Sequence, residues 1–184
     1  MRVYRALFLP LPLILALVSG VSNAAEGLPE LTQCSELELR VAGLFRVGTA
    51  SLHLSDCDSP RDQVLAAVPK QFSLELARSF SGSDLSGTAR EVLVRNLALD
   101  SERDLPPPLV CMADAYVDAG AGDRYDVVYS PVYGLSMYLN NELLRRCEAD
   151  GSGPEYFMIW FGESPFHRRM RDELLRRASE AGRG

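Results

Sequence analysis

Between Gly122 and Pro165 the chain must reverse direction at closely spaced points, and this limits the open folds more than any other feature. Residues 124–130 and 135–140 read as two strands that turn at Pro131-Val-Tyr-Gly134. Tyr125, Val127 and Tyr129 share one face, as the period of two requires. Asn140-Asn141 is a second tight turn, because Asn tolerates positive φ. A short strand over 142–147 returns from it. Gly151-Ser-Gly153 breaks the chain, and residues 154–161 form an apolar helix with the single Trp, Trp160. Ser164 is placed to cap a last helix with Pro165 at its first position, where the missing N–H costs nothing. In that helix Phe166, Met170, Leu174 and Ala178 recur every four residues as a buried stripe.

The preceding part also begins with strands. Glu36-Leu-Glu-Leu-Arg-Val-Ala alternates polar and apolar residues, Gly43 marks a turn, and Val47, Leu52 and Leu54 continue the pattern. Lys70-Gln-Phe-Ser-Leu-Glu-Leu-Ala places Phe72, Leu74 and Leu76 on one face of a third strand. Ser81-Gly-Ser-Asp then opens a helix, since Ser and Asp side chains accept from free backbone N–H groups at a helix start. Leu85, Ala89, Val92 and Leu99 recur along it at helical spacing, with Asn96 as a polar intruder. A second helix is predicted over 109–117, after Leu105-Pro-Pro-Pro. Strands fill the first third and the middle, with helices grouped between and after them. That order predicts an α+β fold with an antiparallel β-sheet.

The N-terminus reads as a processing signal. Arg2 and Arg5 precede an apolar run from Leu7 to Val18, and Ser22-Asn23-Ala24 offers small residues for cleavage. The run is shorter than the roughly twenty apolar residues of a membrane span, and Pro10 and Pro12 interrupt it. The expected division is residues 1–24 as signal peptide and 25–184 as one domain, periplasmic or secreted, with no transmembrane segment after cleavage. Removing Arg2 and Arg5 from the 19 basic residues leaves 17 against 25 acidic ones, a net charge of −8. A nucleic-acid binder would normally be basic, so that class is excluded. Eighteen of the basic residues are Arg and one is Lys70.

Cys34, Cys57, Cys111 and Cys147 all lie in the mature part, and an exported chain with an even count suggests disulfides. Four cysteines allow three pairings. Cys34 and Cys57 lie at near-equal distances from the centre of the first hairpin, so they can meet across its open end. Cys111–Cys147 then follows by elimination. With no Cys-x-x-Cys and two His, a zinc site is not expected, and no cofactor is implied. Neither His has a Ser or Cys beside it in a hydrolase-type motif, so nothing supports nucleophilic catalysis.

Four segments in order carry a family resemblance: Val41-Ala-Gly-Leu-Phe-Arg-Val-Gly-Thr-Ala-Ser-Leu-His-Leu54, Phe72 through Leu85, Gly122-Asp123 through Asn141, and Ile159-Trp-Phe-Gly-Glu-Ser-Pro165. Together they resemble the chalcone isomerase-like family, in particular its exported bacterial branch, over most of residues 36 to 177. The resemblance implies an open-faced sandwich, with a large antiparallel sheet packed against a layer of helices and an apolar cleft between them. Some members of the family are isomerases, and related non-catalytic members bind fatty acids. By resemblance Arg46 matches the isomerases' substrate-orienting Arg and Asn96 their Asn. Gly48 stands where they have Thr, and Ala89 where they have Tyr. Thr49 is one residue off, and a one-residue slip in a strand turns the side chain to the other face. Without those two donors the electrostatic stabilisation of such a reaction is lost.

The expected function is therefore binding of a small apolar or amphipathic, fatty-acid-like ligand without catalysis, with Arg46, His53 and Asn96 as candidate ligand-binding residues. An isomerase or lyase, and a periplasmic scaffold, are the alternatives. Each candidate also has a plain reading: Arg46 as a solvated charge by a turn, His53 as a half-buried strand residue, Asn96 as a backbone contact. Trp160 and Tyr125, Tyr129, Tyr133 and Tyr138 can line a cleft or pack the core. The arginines at 168, 169, 171, 176 and 177 make the last helix basic, a face suited to solvent or to weak membrane-surface contact.

Overall fold

A computed structural model describes residues 30–41, 45–148 and 150–183 of the 184-residue chain. The expected signal peptide, residues 1–24, and the turn at Gly43 lie outside the described residues. Among the described residues six strands form one sheet in chain order: β1 (Thr32–Val41), β2 (Phe45–Leu54), β3 (Lys70–Leu76), β4 (Arg124–Ser130), β5 (Gly134–Leu139) and β6 (Glu142–Cys147). Every neighbouring pair is antiparallel. The helices are α1 (Pro60–Gln63), α2 (Gly82–Leu97), α3 (Pro107–Ala113), α4 (Met158–Phe161) and α5 (Arg168–Ala181). The architecture is α+β, as the pattern of the sequence predicts.

Register explains the two faces of the sheet. Leu52, Phe72, Val127 and Met137 lie opposite one another on successive strands and are all buried. The adjacent row, Ser51, Ser73, Asp126 and Tyr138, is polar and turns the other way. Asn140 and Asn141 adopt positive φ (52° and 70°) at the β5–β6 turn, where Asn is tolerated.

Trp160 of α4 packs the helix layer onto the middle of the sheet. Its ring stacks on Phe72 of β3, with centroids 4.1 Å apart and planes 17° from parallel. Tyr156 and Phe157 meet the same indole edge-on at 5.9 and 5.7 Å. These aromatics lie on a 3-10 turn, Gly153–Phe157, that runs straight into α4.

The boundaries of α3 and α5 differ from expectation, each for a visible reason. Helix α3 starts at Pro107 and not at 109, because prolines at the first two positions need no N–H partner. It ends at Ala113, which leaves Tyr116 in the following connection. Helix α5 starts at Arg168 and not at Pro165. The backbone of Ser164 is held by Asn96, whose Oδ1 accepts from Ser164 N at 2.9 Å and whose Nδ2 donates to Ser164 O at 2.9 Å. His167 caps the helix instead, its Nδ1 accepting from Met170 N at 2.9 Å. Phe166 is thus outside the helix and 42% exposed, and the buried stripe is Met170, Leu174, Leu175 and Ala178.

Cys34 is joined to Cys57 and Cys111 to Cys147. The first pair forms by a route the sequence pattern does not show. β1 begins at Thr32, and Cys34 is the extra residue of a bulge between Gln33 and Ser35, so it reaches the turn beyond β2 from there. The second pair ties α3 to the edge strand β6. The two bridges close loops with sequence separations of 23 and 36 residues. Replacing both cysteines of either pair by Ser should lower unfolding free energy by about 3–4 kcal/mol, read from denaturant curves of the mature protein.

Lys70 is in phase with Phe72, Leu74 and Leu76 and therefore enters the core. The residue is 0% exposed. Its Nζ donates to Ala66 O and lies 5.1 Å from the Tyr129 ring and 5.3 Å from the Phe157 ring. Burial lowers its pKa to about 7 from 10.5. Between those values the unfolded chain holds a proton that the folded one has released, so stability rises with pH. Unfolding measured from pH 7 to 9 should show a slope of up to about 1.4 kcal/mol per pH unit from this group. The Lys70→Met variant should lose that slope and be more stable than the parent at pH 7.

Candidate functional site

A cavity of about 80 Å³ lies between the sheet and the helix layer. Leu39 and Val47, then Phe72, Leu74 and Leu76, then Tyr125 and Val127 form its sheet wall. Leu85, Thr88 and Ala89 of α2, Ile159 and Trp160 of α4, and Met170 of α5 form the opposite wall, with Phe80, Tyr116 and Phe166 at the sides. Among the described residues no charged side chain lines it. Leu74, on a central strand, is only half-buried, as are Leu85 and Thr88 facing it, so the cleft opens there. Leu39 and Met170 also form part of a polar groove between β1 and α5, which carries Glu38, Glu173, Arg40, Arg169 and Arg177.

The shape of the sheet wall depends on a bulge in β2. Leu39 pairs with Gly48 and Arg40 with Arg46, which leaves Val47 as the extra residue. The bulge has two effects. Val47 turns into the cavity, and Arg46 leaves the face shared by Leu39 and Gly48 for the face of Arg40. Gly48 is required by a close approach: a Cβ there would sit 2.0 Å from the carbonyl oxygen of Glu75. Position 48, which by the resemblance matches the isomerases' Thr, is therefore closed to a side chain by the β3 backbone. Thr49 sits opposite Glu38 and Glu75, on the outer face.

The structure does not bring Arg46, His53 and Asn96 together, and none of the three lines the cavity. Arg46 pairs through Nε with Glu38 Oε2 at 2.9 Å, an exposed contact on the outer face. His53 is on the same face, with Nε2 3.1 Å from Ser51 Oγ. Burial lowers its pKa, and the nearby Asp126 carboxylate opposes that shift. The amide of Asn96 is fully engaged: besides Ser164, its Nδ2 donates to Val92 O at 2.8 Å. Gly162 is closely packed against it, since a Cβ there would lie 2.3 Å from Asn96 Oδ1.

Of the strand tyrosines, Tyr125 reaches the cavity, but its hydroxyl is taken by the backbone. It donates to Val117 O at 2.5 Å and accepts from Val117 N at 3.2 Å. Trp160 serves both readings, being buried and part of the cavity wall. In α5, Arg176 and Arg177 are bound to Glu173, and Arg171 donates to Gly162 O. Arg168 and Arg169 are exposed, with no ion pair among the described residues. No metal-binding group of His, Cys, Asp or Glu is found among the described residues.

The model of a family described as chalcone isomerase-like matches residues 35–176. The chain belongs to the chalcone isomerase-like family. A fatty-acid binding protein from Arabidopsis thaliana has a similar solved structure, with a TM-score of 0.61 at 13% identity. The likeness covers 84% of this chain and 91% of that one, and at such identity it speaks for the fold. No curated protein matches.

Two residues of this family member were not marked by its sequence pattern: Tyr116 and Tyr156. Tyr116 lies between a short proline-led helix and a glycine turn, a place that carries no periodic signal. Tyr156 is in phase with Trp160 across one turn, and that spacing is the signal by which it can be found. The clamp made by Asn96 has a direct test. Asn96→Ala should cost about 2–3 kcal/mol of stability by leaving the Ser164 N–H without its partner. Arg46→Ala, which removes an exposed pair, should change stability by less than about 1 kcal/mol. Denaturant unfolding of both variants checks the contrast.

Proposed function

We propose that this chalcone isomerase-like protein binds a small apolar or amphipathic ligand in the cleft between its sheet and its helices, without transforming it. The observation that carries the reading is the lining: apolar side chains from β1 to β4 and from α2, α4 and α5 converge on one cavity whose described walls hold no charge. Such a surface favours a hydrocarbon or aromatic group through the hydrophobic effect. The free volume of about 80 Å³ is below the several hundred of a typical ligand pocket. A long acyl chain would need the half-buried rim at Leu74, Leu85 and Thr88 to give way, whereas a short chain or single ring needs less. The fatty-acid binding protein of similar fold adds an analogy for the ligand class.

The reading includes export. The signal-like residues 1–24 support it, and the two disulfides suit an oxidising compartment. No helix among the described residues is long and apolar enough to cross a membrane.

Native mass spectrometry of protein purified from the periplasm, followed by lipid extraction, tests the proposal. It should show a co-purifying apolar molecule at one per chain. Leu85→Trp or Thr88→Phe, each filling the cavity from its half-buried wall, should abolish the adduct while leaving the melting temperature within a few degrees. Absence of any ligand, together with no binding across fatty acids of eight to sixteen carbons, would contradict it.

A further inference from the structure

The cavity is not uniform. At one side stands Tyr116, whose ring meets Tyr125 edge-on at 5.2 Å and whose hydroxyl lies against that of Tyr156. Behind it is Tyr156, which is 0% exposed. The Tyr156 hydroxyl is enclosed and has no partner in hydrogen-bonding geometry among the described residues. Burial raises its pKa most, then the neighbouring Tyr116 phenol, with smaller opposing effects from Arg90 and Asp114. Trp160 meets Tyr156 edge-on at 5.9 Å and lines the cavity, which Tyr156 does not.

An enclosed hydroxyl without a partner costs stability, and Phe would fill the same space without that cost. Phe157 and Phe161 do so nearby. Two phenols in loose contact can instead form a short chain, in which Tyr156 donates to Tyr116 and Tyr116 donates onward. What the chain lacks is a terminal acceptor in the cavity. Burial raises both phenols, Tyr116 to about 12, so both keep their protons and act as donors at neutral pH.

We propose that Tyr116, backed by Tyr156, is the polar end of the cavity and donates a hydrogen bond to one oxygen, carbonyl or carboxylate, of an otherwise apolar ligand. This rests on the binding reading above and adds to it what the ligand must carry. It also assigns the polar contact to the connection after α3, away from Arg46 on the outer face of the sheet.

Acetophenone and ethylbenzene, which differ by a carbonyl in place of a methylene, test it by calorimetric or NMR titration of the mature chain. Tyr116→Phe should weaken acetophenone binding by about fivefold to tenfold, the size of one hydrogen bond, and leave ethylbenzene within twofold. Tyr156→Phe should weaken acetophenone in the same direction by a smaller factor and leave ethylbenzene within twofold. Benzoate in place of acetophenone separates a charged oxygen from a neutral one, and a loss with either supports the assignment. Equal losses for both members of the first pair, or no loss for any probe, would overturn it while the binding reading stands. If no probe binds the parent protein, the assignment falls, and the binding reading is decided by the co-purification and fatty-acid tests above.

Discussion

The contact on which the rest of this molecule depends is the stack of Trp160 on Phe72. An antiparallel sheet with one apolar face needs a second layer, and the helix that brings Trp160 onto its middle strands is a single turn long. So short a helix has almost no stability of its own. It holds its place through a cluster of rings: Phe72 beneath the indole, Tyr156 and Phe157 at its edges, and Phe161 at the edge of Phe72. The same stack forms one end of the cavity, since both Phe72 and Trp160 line it. Packing and site therefore share atoms, and a change to the stack is felt in both.

The bulge in β2 decides what the other end of the cavity contains. A regular strand would keep Arg46 in phase with Gly48, on the inner face. Val47 as the extra residue shifts that phase, and the close approach of the β3 backbone leaves room at position 48 for glycine alone. One local irregularity thus removes a charge from the cleft and adds a valine to its wall. The resulting cleft is lined by apolar side chains. It suits partition of a ligand from water better than stabilisation of a developing charge.

Much of the fold was legible because its signals are local. The turn at Asn140-Asn141, the cap at Ser81, the strand alternation of Phe72, Leu74 and Leu76, and the order of the last three strands all appear where the residues place them. The boundary of α5 was not, because Ser164 is claimed by an amide 68 residues away in sequence, and a local cap preference cannot register that competition. The site was less legible for the same reason. Arg46 is placed by a bulge, Asn96 by its partner loop and Tyr156 by tertiary packing. Lys70 was readable in principle, since its phase with Phe72 already puts it in the core.

The central claim is that the cleft over Leu74, and not the polar outer face around His53, is where a ligand sits. The most direct measurement is a set of intermolecular NOEs between a bound fatty acid of eight to ten carbons and methyl-labelled protein. The account predicts cross-peaks from the acyl chain to the methyls of Val47, Leu74, Leu85 and Ile159. Cross-peaks confined to residues outside the cleft, such as Val128 on the outer face, would contradict it.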